Sequence, residues 1–591
     1  MSLGDLLVTA RSDALKIASE ELERRKFKKV ADRAWTGEIE VVGHGKFEAD
    51  VNIPSAFPDQ LPEVYVNGNA LPRQIPHVDS INKSCIAAET GLLLDVTNVA
   101  GIIRDSLVRA QAVVAAGLDG RNVQDFLSEF ASYWNHEASF RVFSIVNPND
   151  ISRQITSVSF KRTKKRKGTL FADNKTQAKT WLNNVGWEYV DDGIAFYLPL
   201  ERPLFPPGFS NVLKVHSFVE SLKMNARKAD FDLFTRWTGN AQLPISIAFS
   251  FDGPNGRILS SATIPKSSND TPTKKGRFSR DRARSHAGLR FVTASHEMTF
   301  CRTYAVQRVS TQRADFNYLL GRGGAMLGLE NRCVLIIGCG AVGSHAAERI
   351  ASVGVGALRL IDGEKLGVDN IYRHTLGMDD VDAEKTVALE RRLKSRYPHL
   401  SVDSRAKGIE VVISTEEHFI LTADLIILAT GNETLELRLN KILPKNKPRI
   451  HAWLEPLGIG GHVLICGSGC IGGCYQCLFG STDIAGIPLL GNLSALAQPG
   501  QNFTKSISGC SGTFTPFSGL DADQTAIYVA RAVSGILTGR LTKSELWSWL
   551  GDSSTFVEAG FKVSTRAMHL TGKSFVTTDS FSRRDCPECA L

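Results

Sequence analysis

The run Cys333-Val334-Leu335-Ile336-Ile337-Gly338-Cys339-Gly340-Ala341-Val342-Gly343 constrains this chain more than any other stretch. An apolar segment ends in Gly-x-Gly-x-x-Gly, a helical pattern follows over residues 344–353, and a second apolar segment, 358–361, ends at Asp362. That pattern predicts a β-α-β unit. Gly338, Gly340 and Gly343 allow a tight turn and let a phosphate approach the backbone, and the helix that follows offers unpaired N–H groups and the positive end of its dipole. Asp362 comes about 20 residues after the glycines, where a ribose hydroxyl would be bound. The motif predicts a nucleotide site without choosing the nucleotide.

A chain of 591 residues holds roughly three or four domains at about 150 residues each. Its 43% apolar and 22% charged content is that of a soluble globular protein. No apolar run approaches the about 18 residues that span a bilayer. The start, Met1-Ser2-Leu3-Gly4-Asp5, has neither a basic region nor a long apolar core, so no signal peptide is expected and the expected location is cytoplasmic. The net charge of +8 is concentrated at residues 161–167 and 274–284. These read as solvated loops. No aromatic residue interrupts the first, which argues against base stacking and against nucleic acid as a partner. Eleven cysteines in a cytoplasmic chain point to metal binding or catalysis rather than disulfides.

From the N-terminus, a helical pattern at 11–26 precedes strand patterns at 38–42, 46–53 and 63–66, with Pro54-Ser55-Ala56-Phe57-Pro58-Asp59-Gln60-Leu61-Pro62 between the last two. Then Ile75-Pro76-His77-Val78-Asp79 leads to Ser84-Cys85-Ile86, and helical patterns follow at 96–116 and 123–133. This order resembles the ubiquitin-conjugating enzyme fold in its divergent prokaryotic branch, down to Glu129-Phe130 and Tyr133-Trp134. The usual His-Pro-Asn order is missing, so the oxyanion-stabilising asparagine is not identifiable from the motif, and Asn82 is a weak candidate for it. The resemblance implies that Cys85 is catalytic: a thiolate is a strong nucleophile and its thioester can hand an acyl group on. On its own, the same cysteine would read as a buried structural one.

Residues 141–312 alternate short β-like runs (194–197, 245–251, 289–292) with Pro/Gly-rich and basic stretches. They read as a β-rich connecting domain, too long for a linker. A helical pattern returns at 313–320. Beyond the opening β-α-β unit come a helix at 382–396, a strand at 425–429 ending in Thr430-Gly431-Asn432, a helix at 435–442 and a strand at 449–452: one doubly wound α/β sheet with elaborations.

The residues after Asp362 narrow the nucleotide. Glu364, Asn370, Arg373, His374 and Lys385 bring an amide, a guanidinium and an ammonium behind the ribose-binding strand. Transfer of a carboxylate to the α-phosphorus of ATP needs such cations and Mg²⁺ to neutralise the phosphates, whereas hydride transfer does not. The block over 313–591 resembles the ThiF/MoeB-type and ubiquitin-activating family. The resemblance implies a Rossmann-like adenylation domain in which Gly338, Gly340, Gly343, Asp362, Glu364 and Asn370 bind the nucleotide and Arg373 and Lys385 also act in catalysis. His374 stands where the family has Gln. Gly431 replaces the family's metal-holding aspartate, which leaves Glu433, Glu364 or the ATP itself to hold Mg²⁺.

Cys474-Tyr475-Gln476-Cys477 and Cys586-Pro587-Glu588-Cys589 form a CxxC…CxxC set suited to tetrahedral Zn²⁺, with Cys466 and Cys470 near enough in sequence to substitute. Cys510, in a loop of small residues, fits the position of the family's thioester-forming cysteine. The order conjugating-like, connecting, activating-like resembles the fused ligases of bacterial CBASS antiphage operons. The chain divides into domains at 1–140, 141–312 and 313–591. The resemblance implies a homodimer and a modifier protein with a free C-terminus, a cyclic-nucleotide synthase (CD-NTase), joined to amines on proteins or small molecules. Other readings remain open at this point: a different bacterial ubiquitin-like modifier, a sulfur-carrier adenylyltransferase, a nicotinamide oxidoreductase or a noncatalytic scaffold.

Overall fold

The structure is a computed structural model. It describes residues 2–589 apart from 68–70, 72–74, 80, 88–91, 137, 164–165, 205–212, 240–243, 265–304, 326–327, 469–471, 482–489, 507–512 and 571. The chain forms two compact units, one of residues 1–159, 168–175 and 191–313, the other of residues 160–167, 176–190 and 314–591. Among the described residues no helix is long and apolar enough to cross a membrane.

The first unit opens with α1 (Leu3–Arg24). The helix starts earlier than its apolar stripe suggests because Ser2 and Asp5 cap each other reciprocally, Asp5 N–H donating to Ser2 Oγ at 3.1 Å and Ser2 N–H to Asp5 Oδ2 at 2.9 Å. Five strands follow, β1 (Lys28–Ala31), β2 (Ala34–Val41), β3 (Gly45–Asn52), β4 (Glu63–Val66) and β5 (Lys83–Ser84), paired in chain order as one antiparallel sheet. In β3 alternate residues Phe47, Ala49 and Val51 are buried, as expected of a sheet with one dry face. That face packs on Ala18 and Leu22 of α1 and on Ile103, Leu107 and Val114 of α2 (Val99–Asp119). Next comes α3 (Asp125–His136).

The connecting region is a closed barrel. Its strands are β6 (Phe140–Ser144), β7 (Arg153–Lys161), β8 (Lys167–Ala172), β9 (Glu188–Pro199), β10 (Ile245–Gly253), β11 (Gly256–Ile264) and β12 (Gln307–Arg313), in the order β10-β11-β12-β6-β8-β7-β9. Parallel pairing of β9 with β10, Ala195 opposite Ser246 to Pro199 opposite Ser250, closes it. Phe196, Leu198, Phe249 and Phe251 form a core with Phe218 and Phe234 of the surface helices Val215–Asn225 and Lys228–Thr238, and with Phe130 and Trp134 of α3. The β-like runs at 194–197 and 245–251 lie within β9 and β10. The run at 289–292 and the basic stretch at 274–284 lie outside the described residues.

The second unit is built on an eight-stranded sheet. Strands β13 (Cys333–Ile337), β14 (Ala357–Ile361), β15 (Ser401–Arg405), β16 (Leu425–Leu428), β17 (Arg449–Leu454) and β18 (Gly460–Cys466) run in the order β15-β14-β13-β16-β17-β18, followed by Glu545–Leu550 and Phe575–Thr578. Pairings from β15 to β17 are parallel and those beyond antiparallel. All four residues of β16 are buried, as a parallel strand covered on both faces requires. From β13 the chain steps first to β14 on one side and later to β16 on the other. This reversal opens a crevice at the carboxyl end of β13, where open α/β sheets bind ligands.

Candidate active sites

The turn after β13 is shaped by its glycines. Gly338 has φ +90°, and a Cβ there would lie 2.5 Å from the Ala429 carbonyl oxygen; a Cβ on Gly343 would lie 1.9 Å from the Gly338 carbonyl oxygen. Only glycine fits either place. Gly340 caps the helix Ala341–Ser352, whose first N–H groups face the crevice end of the sheet. Asp362, at the tip of β14, accepts from Cys339 N–H at 2.7 Å with Oδ2 and from Glu364 N–H at 2.8 Å with Oδ1, tying the glycine turn to the neighbouring strand.

A pocket of about 290 Å³ opens here, lined among others by Gly340, Glu364, Asn370, Arg373, His374 and Lys385. Lys385 is buried at the start of the helix Lys385–Arg396, its Nζ 2.5 Å from Glu364 Oε2. Asn370 Oδ1 accepts from Gly367 N–H at 3.2 Å, and the Arg373 guanidinium lies 5.0 Å from the centre of the Phe517 ring. His374 donates from Nε2 to the Cys339 carbonyl at 2.8 Å and accepts Leu376 N–H at Nδ1 at 3.0 Å. Those two bonds specify a neutral ring, and burial pulls its pKa down to about 4. Of the two carboxylates offered in place of the missing aspartate, Glu364 lines the pocket, while Glu433 accepts from Asn492 Nδ2 at 3.0 Å. Gly431 itself has φ +67°, a conformation costly for aspartate.

Phe514, Thr515 and Phe517 also line the pocket and were missed by sequence reasoning. Two phenylalanines and a threonine beside a polar site carry no spacing signature. The one available hint was Gly519, where a Cβ would meet the Tyr372 carbonyl oxygen at 2.7 Å. Cys510 and Cys470 lie outside the described residues.

The four CxxC cysteines converge. Cys474 Sγ and Cys586 Sγ are 3.8 Å apart, Cys477 Sγ and Cys589 Sγ 3.3 Å, and all four sulfurs lie within 4.8 Å of one another. Tetrahedral Zn²⁺ with sulfurs at about 2.3 Å would place them about 3.8 Å apart, so the set fits that ion. Asn440 Nδ2 donates to Cys474 Sγ at 3.5 Å, the kind of outer contact that steadies a thiolate ligand. Cys466 is not part of this group: it sits buried in β18, opposite Arg449.

In the first unit Cys85 is exposed just after β5, at the edge of a cleft of about 740 Å³. Its N–H donates to the His77 carbonyl at 2.7 Å. Asn82 does not line this cleft. It is a turn residue at φ +69° whose N–H donates to the Asp79 carbonyl. Polar groups that line the cleft with Cys85 include His77, Glu129 and Tyr133, the last two presented by α3.

Residues 312–546 match the ThiF family and residues 7–143 match prokaryotic E2 family B. The chain is 24% identical over 463 residues to the ATP-dependent ubiquitin transferase-like protein Cap2 of Pseudomonas aeruginosa, covering 76% of this chain and 77% of that protein. It is 23% identical over 541 residues to the protein of the same name from Escherichia coli, covering 85% and 86%. A crystal structure of E. coli MccB with ATP aligns at a TM-score of 0.31 and 20% identity over 44% of this chain and 67% of that one. The chain is thus a fusion of a prokaryotic ubiquitin-conjugating-like domain with a ThiF-type adenylation domain, an activating and conjugating enzyme similar to the Cap2 proteins.

Proposed function

We propose that this enzyme adenylates the C-terminal carboxylate of a modifier protein, passes the acyl group through thioesters on Cys510 and Cys85, and joins it to target amines in antiphage defence, with a CD-NTase as the modifier. The carboxylate attacks the α-phosphorus of ATP and pyrophosphate leaves. The Cys510 thiolate then displaces AMP, and Cys85 displaces Cys510. Each intermediate keeps the acyl group activated, so one ATP serves the sequence. Arg373 and Lys385 offset phosphate charge, and Asp362 faces the ribose. Mg²⁺ would be held by Glu364 and the triphosphate. Zn²⁺ on Cys474, Cys477, Cys586 and Cys589 would be structural, since four thiolates leave no open position.

The observation that carries this reading is an exposed cysteine in a conjugating-like cleft on a chain that also holds a nucleotide pocket with a buried lysine. A sulfur-carrier adenylyltransferase would have no use for that cleft. Incubation with ATP, Mg²⁺ and the candidate CD-NTase should release pyrophosphate and give thiol-sensitive adducts on gels without reductant. Cys510→Ala should retain adenylate formation and lose both adducts; Cys85→Ala should lose only the second. Absence of pyrophosphate release and of any adduct would refute the proposal.

A further inference from the structure

The histidine beside Cys85 is clasped from both ends of its ring. Nδ1 lies 2.6 Å from Glu129 Oε1 and Nε2 3.0 Å from Asp125 Oδ2. Carboxylates only accept, so both ring nitrogens must carry hydrogen, which makes the ring an imidazolium. Cys85 Sγ, a His77 ring nitrogen and a Glu129 oxygen all lie within 4.8 Å of one another. The backbone is held as firmly. His77 has φ +65°, a region where a non-glycine residue persists only when its surroundings impose it. Its N–H faces both Tyr133 Oη at 2.8 Å and Glu129 Oε2 at 3.2 Å, Tyr133 donates to Glu129 Oε2 at 2.6 Å, and the His77 carbonyl accepts from Cys85 N–H. The hydrogen bond to Cys85, then that to Glu129, raise the His77 pKa to about 11 against the opposing effect of burial. Other charged groups of the cleft are already engaged: Glu63 pairs with Lys83 at 2.7 Å, Asp59 with Arg11 at 2.7 Å, and Asp79 accepts backbone N–H groups of Ile81 and Lys83.

We propose that His77 is a catalytic residue of transfer through Cys85, pairing as imidazolium with the thiolate before acylation and taking the acceptor amine's proton afterwards, with Glu129, Asp125 and Tyr133 as its positioning residues. The proposal rests on the acyl-transfer reading of Cys85. In the loading step Cys85 Sγ forms a bond to the thioester carbonyl carbon, the carbon–sulfur bond to the donor cysteine breaks, and the imidazolium proton goes to the departing sulfur. The acylated sulfur carries no charge, so its hold on the His77 proton is gone; the neutral ring keeps one N–H on a carboxylate, and its bare nitrogen, now unmatched to the carboxylate opposite it, is a ready acceptor for a proton. In the second step the amine nitrogen bonds to the carbonyl carbon, the carbon–sulfur bond returns its electron pair to Cys85 Sγ, and the amine's surplus proton moves to His77. The product is an amide, and the thiolate–imidazolium pair is restored. His77 thereby supplies charge stabilisation at the position where no asparagine is available.

The test is the pH profile of iodoacetamide alkylation at Cys85 in the full chain with its metal content intact, read on the Cys85 peptide by mass spectrometry. The expected wild-type rate falls much less between about pH 8 and pH 6 than that of a variant without the imidazolium. In His77→Asn the rate should be at least about tenfold lower at pH 6 and climb through the ordinary thiol range near pH 8.5. Glu129→Gln, which keeps the shape and removes the charge, should shift the profile part of the way. A wild-type rate that climbs around pH 8.5, or a His77→Asn profile matching wild type, overturns the proposal. If His77→Asn does not fold by its melting curve, the wild-type and Glu129→Gln profiles decide. No ATP, modifier or acceptor enters the assay, so its failure is distinct from failure of the ligase reading.

Discussion

His374 shows what one substitution within a shared pattern can do. Its Nε2–H bond to the Cys339 carbonyl fixes the glycine turn, a task the family's glutamine amide could also perform, but the imidazole brings a titration with it. Its pKa falls from an ordinary 6.5 to about 4, so the folded chain prefers the neutral ring. The sign follows: this contribution is intact above about pH 6.5 and is lost as pH falls towards 4, because the unfolded chain takes up the proton first. The loss amounts to about 3 kcal/mol by pH 4. Urea titrations of His374→Gln should show unchanged stability at pH 7.5 and a weaker decline below pH 6. An equal decline in both proteins would mean that His374 does not carry the effect. That Gly340, Glu364, Asn370, Arg373 and Lys385 come together around one pocket was legible from sequence because they belong to one local pattern, glycines, then Asp362, then the cations. Which of Glu364 and Glu433 faces the pocket was not legible, because that depends on how the two loops fold.

At the scale of elements, α3 has two faces with different employers. Asp125, Glu129 and Tyr133, four residues apart in turn, meet His77, while Phe130 and Trp134 enter the barrel core. Trp134 stacks near Phe130 at 5.6 Å, meets Phe249 edge-on at 5.2 Å, and donates from Nε1 to the Ser261 carbonyl at 2.8 Å. Trp134→Ala should destabilise the first unit by about 3–5 kcal/mol. It should also lower Cys85 alkylation at pH 6 while leaving ATP-dependent pyrophosphate exchange in place; alkylation unchanged at that pH would separate the barrel from the cysteine site. The helix itself was readable from its apolar spacing. Its partners were not, because His77 and Glu129 are 52 residues apart and Trp134 and Ser261 are 127 apart, distances no local period encodes. The barrel was hidden for the same reason. Its closing pair, β9 with β10, joins strands separated by two surface helices, whereas β13 and β16 announce themselves as short all-apolar runs buried on both faces.

Over the whole molecule, the cysteine cluster sets which parts depend on metal. Cys474–Cys586 and Cys477–Cys589 each join positions 112 residues apart, within the second unit, so the ion would close a long loop that contains Phe514 and Phe517 of the nucleotide pocket. Metal analysis should find one Zn²⁺ per chain, lost in Cys586→Ser/Cys589→Ser, with the second unit melting earlier and the first unaffected; full retention of zinc would refute this ligand set. The first unit has a tie of another kind. A helix turns about 100° per residue, so one residue inserted between Glu129 and Phe130 would swing the barrel-facing side chains a quarter turn or more away from the His77-facing ones. Loops around the unit can lengthen without such a penalty. The ten residues from Asp125 to Trp134 therefore act as a fixed ruler, and descendants of this gene should vary in the letters of that stretch long before they vary in its count.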